Sequence, residues 1–163
     1  MGETTFVVPA DIVERVNMAR ERARPVVIGY VAEDGQPVLS LRGSVHFHSG
    51  DELAMWIRHA KGDLVTSIRQ HPKVALLYRD NEDLTTYTFI GEARVCEDEP
   101  TRARVFDASP TAERDHDPER AGAAVVVRLN VVEGGSLSGE KPRVCVRRDG
   151  ARVWSPLYWR EEA

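Results

Sequence analysis

The chain has 163 residues and a mass of 18.2 kDa, the size of one domain able to bury a core without covalent staples. Its 42% hydrophobic and 29% charged residues exclude a disordered chain, and its net charge of -4 argues against nucleic acid as a partner, since phosphate backbones are met by basic surfaces. Cys96 and Cys145 are too few for a disulfide framework or a four-cysteine zinc site and read as reduced thiols, and no apolar run approaches the ~20 residues of a membrane helix.

Residues 1–24 read as an N-terminal helical extension. Pro9-Ala10-Asp11 starts a helix with Asp11 as N-cap, Ile12, Val13, Val16 and Ala19 recur at helical spacing, and Pro25 ends it. The first ten residues lack the apolar stretch of a secretory signal, so a cytoplasmic protein is expected. Val26 to Val31 is continuous and β-branched, which suits a strand buried on both sides. Asp34-Gly35 turns the chain into a second strand, Val38 to Leu41. Arg42-Gly43 reads as a bend. Val45, Phe47 and Ser49 then alternate with Ser44, His46 and His48, and Ser49-Gly50-Asp51 turns into the strand Leu53 to Ile57. A helix follows, with Asp63 as N-cap, Leu64, Val65 and Ile68 as its apolar stripe and Pro72 as its stop. Lys73 to Arg79 and Thr85 to Val95 are strands around the polar turn Asn81-Glu82-Asp83.

Residues 98–122 are polar and proline-bearing. Glu99 to Phe106 reads as a short helix, and Ser109 to Arg120 as an exposed loop or broken helix. Ala123 to Val132 is a strand that Gly134-Gly135 breaks, and Arg143 to Val146 pairs with Val153-Trp154 in a last hairpin around Asp149-Gly150. The whole is a mainly β chain, with antiparallel strands joined by tight turns and few helices. That pattern points to a β-barrel rather than a doubly wound sheet.

No glycine-rich dinucleotide fingerprint, phosphate-binding P-loop or serine nucleophile elbow is present. His46 and His48 share one face of a strand and could share a metal only if His59, His71 or a distant carboxylate supplied a third ligand. The simpler reading is the polar side of a barrel strand, and no metal is expected. Cys96 has no basic neighbour to activate it and reads as packing. Asp115-His116-Asp117 reads as solvated surface. The informative residues are Arg58, His59 and Lys61, which lie between the end of the Trp56 strand and a helix N-terminus. Free N–H groups and the positive dipole end favour an anion there, and two cations strengthen the site for phosphate. Arg42 adds a third charge if its strand pairs nearby. Met55 and Trp56 offer an apolar wall, one of them facing inward, which suits a flat phosphorylated cofactor.

The order of these pieces carries a resemblance. Asp34-Gly35-Gln36-Pro37-Val38, Ser44-Val45-His46-Phe47, Leu53-Ala54-Met55-Trp56-Ile57-Arg58, Lys61, and Ile68-Arg69-Gln70-His71-Pro72-Lys73-Val74-Ala75-Leu76-Leu77 together resemble the pyridoxamine 5′-phosphate oxidase-related flavin-binding proteins over Arg24 to Val132. The resemblance implies an antiparallel split β-barrel with a few peripheral helices. It also implies a homodimer with two FMN sites at its interface. It assigns Arg42, Ser44 and Val45 to the strand that reaches the ribityl chain and phosphate. Met55, Trp56, Ile57 and Arg58 fall on the segment whose backbone lies along the flavin ring, and Lys61 near the residue that grips the phosphate. Tyr78 and Arg79 fall where partner-subunit contacts are expected. The C-terminal arginine with which pyridoxamine phosphate oxidases grip substrate has no match, because Trp154, Trp159 and Arg160 stand in a different arrangement.

The expected function is therefore FMN-dependent oxidation or reduction of a small molecule whose identity the sequence leaves open. The flavin supplies the redox chemistry, so no acid–base motif is required. Two alternatives stay open. One is a deazaflavin-dependent reductase, against which the net charge argues. The other is a non-enzymatic flavin or haem carrier, with His46 or His48 as the haem contact.

Overall fold

A computed structural model describes residues 6–139 and 143–151. Helix α1 (Ala10–Asn17) leads into the hairpin β1 (Val26–Val31) and β2 (Pro37–Arg42), followed by β3 (His46–Ser49) and β4 (Glu52–Ile57). Helix α2 (Asp63–Gln70) precedes the long hairpin β5 (Lys73–Asp80) and β6 (Thr85–Cys96). Helices α3 (Glu99–Ala108) and α4 (Thr111–Arg114) separate β6 from β7 (Ala123–Ser136), and β8 (Val144–Arg147) ends the described elements. The strands form one sheet in the order β2-β1-β5-β6-β7-β4-β3, with β8 also on β7 and every pairing antiparallel.

Alternation explains the interior. Along β5 and along β6 as far as Arg94 every second residue is buried, so Val74, Leu76, Tyr78, Tyr87 and Phe89 point one way. They meet Ile28 of β1, Leu53 and Met55 of β4 and Val125, Val127 and Leu129 of β7 in one cluster. Inward residues from both ends of the strand order can meet only if the sheet curls round on itself, which makes it a barrel. Ile12 and Val16 of α1, with Leu64, Val65 and Ile68 of α2, add to the same cluster. A second cluster lies outside the barrel wall, where Val105 and Phe106 of α3 cover Ala54, Trp56, Cys96, Ala124 and Val126.

Several local expectations are corrected. Helix α1 ends at Asn17, well before Pro25, and Pro9 rather than Asp11 is its N-cap. Gly62, not Asp63, caps α2. Strand β1 is fully buried on one face only. Gly134-Gly135 does not break β7, which runs on to Ser136. There the chain passes so close to β6 that a Cβ on Gly134 would lie 2.0 Å from the Thr86 carbonyl oxygen, at a φ of +146° that side chains rarely adopt. Strand β8 pairs with β7, whereas Val153-Trp154, like Trp159 and Arg160, lies outside the described residues. The Tyr78 side chain is fully buried in the barrel core.

Ion pairs tie α1 to the β5–β6 turn. Arg15 meets Asp83 at 2.6 Å and Asp80 at 3.6 Å, and Arg24 meets Asp80 at 2.8 Å. Burial alone would raise the Asp83 carboxyl, but hydrogen bonds from Thr85 and Arg15 overrule it and hold the group down to about 2. A folded-state value below the unfolded one gives stability that is complete above the unfolded value, roughly 4, and is lost as pH falls toward 2. Asp83→Asn is expected to lower stability at neutral pH by about 2 kcal/mol and to flatten the acid limb of the unfolding curve. Chemical denaturation at stepped pH checks this, and an unchanged acid limb contradicts it.

Candidate functional site

The site lies where β2 ends and β4 leaves the sheet. Strand β3 starts only at His46, opposite Ala54, so among the described residues Trp56 has no ladder partner on that edge of β4. Ser44 takes the place of the missing strand. Its buried hydroxyl donates to the Trp56 carbonyl at 3.0 Å and accepts from the Trp56 N–H at 3.1 Å. This pair of hydrogen bonds to one residue holds the 42–44 segment against β4, and a cavity of about 190 Å³ lies beside it. Leu41, Arg42, Gly43, Ser44, Ile57 and Arg58 line it, with His59, Glu113 and Trp56.

Arg42 is the unusual member. Its Nε is buried and has no hydrogen-bond partner among the described residues. Burial, and after it the neighbouring Arg58 charge, pull its guanidinium below its ordinary value, although Tyr30 opposes them. Two guanidiniums on one small cavity, one with an unsatisfied buried donor, make a site prepared for an anion. Arg58 and His59 also line an adjoining depression of about 570 Å³ with Ala60, Lys61, Gly62 and Ala121. Gly62, the N-cap of α2, is part of that lining. Asp63, in the first turn, accepts from the Tyr30 hydroxyl at 2.6 Å, which anchors the helix start to β1. Burial, then this hydrogen bond, push the Tyr30 hydroxyl up to about 12.

Of the residues singled out from the sequence, Arg42, Ser44, Trp56, Ile57 and Arg58 border one cavity and Lys61 borders the next. Val45 and Met55 lie in the barrel core, so their side chains support the site from behind. The Trp56 ring turns away to the outer wall. It packs edge-on against Phe106 at 5.0 Å, lies under the Arg102 guanidinium, and donates its indole N–H to Asp117 at 2.8 Å. Trp56 nevertheless lines the cavity, so of the pair Met55 and Trp56 it is Trp56 that borders the site and Met55 that enters the barrel.

Two residues of the 98–122 segment escaped sequence reasoning. Asp117 is buried, not surface: it accepts from Trp56 Nε1–H and from the N–H groups of Ala121 and Gly122. Glu113 lines the cavity itself. A carboxylate in a polar stretch carries no sequence signal for either role. His46 is buried with Nδ1–H donated to the Ser44 carbonyl at 2.8 Å, and its Nε2 and the Nδ1 of His48 have no partner among the described residues. Burial lowers the pKa of both rings. Among the described residues no three His, Cys, Asp or Glu side chains gather as a metal site. Cys96 is buried under α3, which pushes its thiol up.

No family model and no curated protein matches the sequence. Solved structures do match. A pyridoxamine 5′-phosphate oxidase-related, FMN-binding protein from Nostoc punctiforme is 15% identical, with a TM-score of 0.68 over 91% of this chain and 95% of that one. HupZ of Group A Streptococcus is 14% identical, with a TM-score of 0.64 over 85% and 99%. A Clostridium acetobutylicum protein related to general stress protein 26, of the pyridoxinephosphate oxidase family, is 12% identical, with a TM-score of 0.62 over 86% and 96%. Superposition over most of both chains at such low identity establishes the fold: the chain is built on the antiparallel split β-barrel of the pyridoxamine 5′-phosphate oxidase-related proteins.

Proposed function

We propose that the chain binds FMN at this cavity and uses it to oxidise or reduce a small molecule. The observation that carries the reading is the buried Nε of Arg42, which has no partner among the described residues, beside Arg58. A phosphate dianion supplies the acceptor that this donor lacks. Arg42, Arg58 and Lys61 would hold the phosphate, while Leu41, Ile57 and the backbone fixed by Ser44 line the rest. Ser44 itself gives its one proton to Trp56, so it shapes the site rather than donating to the ligand. The cavity and depression together fall in the range of roughly 300–1,000 Å³ that small cofactors occupy. When bound, FMN supplies hydride or electron transfer; the chain's task is to bind it, orient it and exclude water. The Glu113 carboxylate on the cavity favours FMN over a deazaflavin with a longer acidic tail. No helix among the described residues is long and apolar enough to cross a membrane, and the free thiols of Cys96 and Cys145 support a cytoplasmic setting. The absorption spectrum of the purified protein tests the reading. Flavin bands that bleach with dithionite support it, and their absence after incubation with FMN contradicts it.

A homodimer is part of the proposal. On the outer face of the sheet Leu41, Val27 and Leu77 stand in one register row and Leu39, Gly29 and Ala75 in the next. Leu39 is 78% exposed and Leu41 65%, an apolar patch that calls for cover. Leu41 also lines the cavity, so patch and site share an edge. Light scattering is expected to give twice 18.2 kDa for the wild type and 18.2 kDa for a Leu39→Asp, Leu77→Asp variant. A wild-type monomer at micromolar concentration contradicts this.

A further inference from the structure

We propose that Glu113 is a ligand-binding residue whose carboxylate accepts hydrogen bonds from hydroxyls beside the ligand's phosphate, so that the cavity selects a phosphate ester of a hydroxylated chain over a bare anion. The inference rests on the FMN reading, in which those hydroxyls belong to the ribityl chain.

Glu113 is not on a loose loop. Its segment is fixed downstream by the three hydrogen bonds to buried Asp117. Arg102 bonds the carbonyls of Gly122 and Arg120 at 3.1 Å each, and Arg120 bonds Asp107 at 2.8 Å. From this base the Glu113 carboxylate reaches the bare backbone of Gly43, where a Cβ would lie 2.4 Å from its Oε1. Its side chain is only 20% exposed.

The pairing of that carboxylate is informative. Two arginines line the same cavity, yet Glu113 pairs with Arg20 at 3.2 Å, outside the lining, and the Arg42 Nε has no acceptor among the described residues. The cavity thus holds positive and negative groups that do not neutralise each other. A bare phosphate satisfies the cations but meets the carboxylate with acceptors only, which repel it. A chain that carries hydroxyls next to its phosphate satisfies both, because each hydroxyl can donate to the carboxylate.

Fluorescence titrations of FMN, riboflavin and lumiflavin test this, since lumiflavin keeps the ring and lacks both hydroxyls and phosphate. Glu113→Ala is expected to weaken FMN and riboflavin by the same factor, about ten- to hundredfold, and to leave lumiflavin unchanged. Glu113→Gln, which keeps an acceptor, loses less. Gly43→Ala offers a second route, because its methyl displaces the flexible end of Glu113 with the carboxylate still present. It is expected to shift FMN and riboflavin in the same direction. FMN that binds more tightly to Glu113→Ala would show the carboxylate to be a plug repelled by phosphate, and overturns the proposal. Unchanged FMN and riboflavin overturn it too and leave the FMN reading standing. A wild type that binds no flavin overturns both.

Discussion

Arg42→Ala and Arg58→Ala each weaken FMN by about ten- to hundredfold and leave riboflavin within about threefold of wild type. The size follows from charge-assisted hydrogen bonds to a dianion in a partly dry cavity. The difference between ligands follows from the phosphate, which riboflavin lacks. Arg42 is the more informative of the two. The residue is half-buried and its Nε is already out of solvent with no acceptor among the described residues, so part of its desolvation is met before any ligand arrives. Lys61 borders the wider depression and is exposed, so Lys61→Ala is expected to lose only about threefold to tenfold. An equal loss of FMN and riboflavin in the arginine variants would mean that these side chains shape the fold rather than hold a phosphate.

Asp117→Ala is expected to lower folding stability by about 3 kcal/mol, the largest loss of any single change considered. The carboxylate accepts three hydrogen bonds, and two of its donors, the indole N–H of Trp56 and the Gly122 N–H, are buried with it. Truncation leaves both donors without an acceptor in apolar surroundings. It also frees the base from which Glu113 reaches the cavity, so flavin retention falls along with stability. Asp117→Asn keeps an acceptor oxygen and is expected to lose about half as much. Urea unfolding monitored by tryptophan fluorescence reads the effect. A loss below about 0.5 kcal/mol would place Asp117 among ordinary surface residues.

Much of the fold was legible because its signals are local. Strands β5 and β6 announce themselves by alternation, α2 by its three-and-four spacing and the Pro72 stop, and the β1–β2 turn by Asp34-Gly35. The misreadings share one cause, which is contact with distant chain. Gly134-Gly135 looks like a break in sequence, yet in space it is what lets β7 approach Thr86. Asp117 looks solvated because its partner Trp56 lies 61 residues away. Strand parity required Met55 and Trp56 to face opposite ways, but not which of them enters the barrel; the cover supplied by α3 decides that. In the site, Arg42, Arg58 and Lys61 could be picked out as cations near a strand end and a helix start. Ser44 as a clamp and Glu113 as a lining group could not, because both roles depend on tertiary approach to a bare stretch of backbone.

The central claim is that this barrel recognises a flavin through its phosphate. Calorimetric titration of the wild-type protein with FMN and with riboflavin, under identical conditions, tests it most directly. The account predicts that FMN binds at least about a hundredfold more tightly than riboflavin, the worth of two charge-assisted hydrogen bonds at the low end of their range. Equal affinities for the two ligands, or no heat with either, would contradict it.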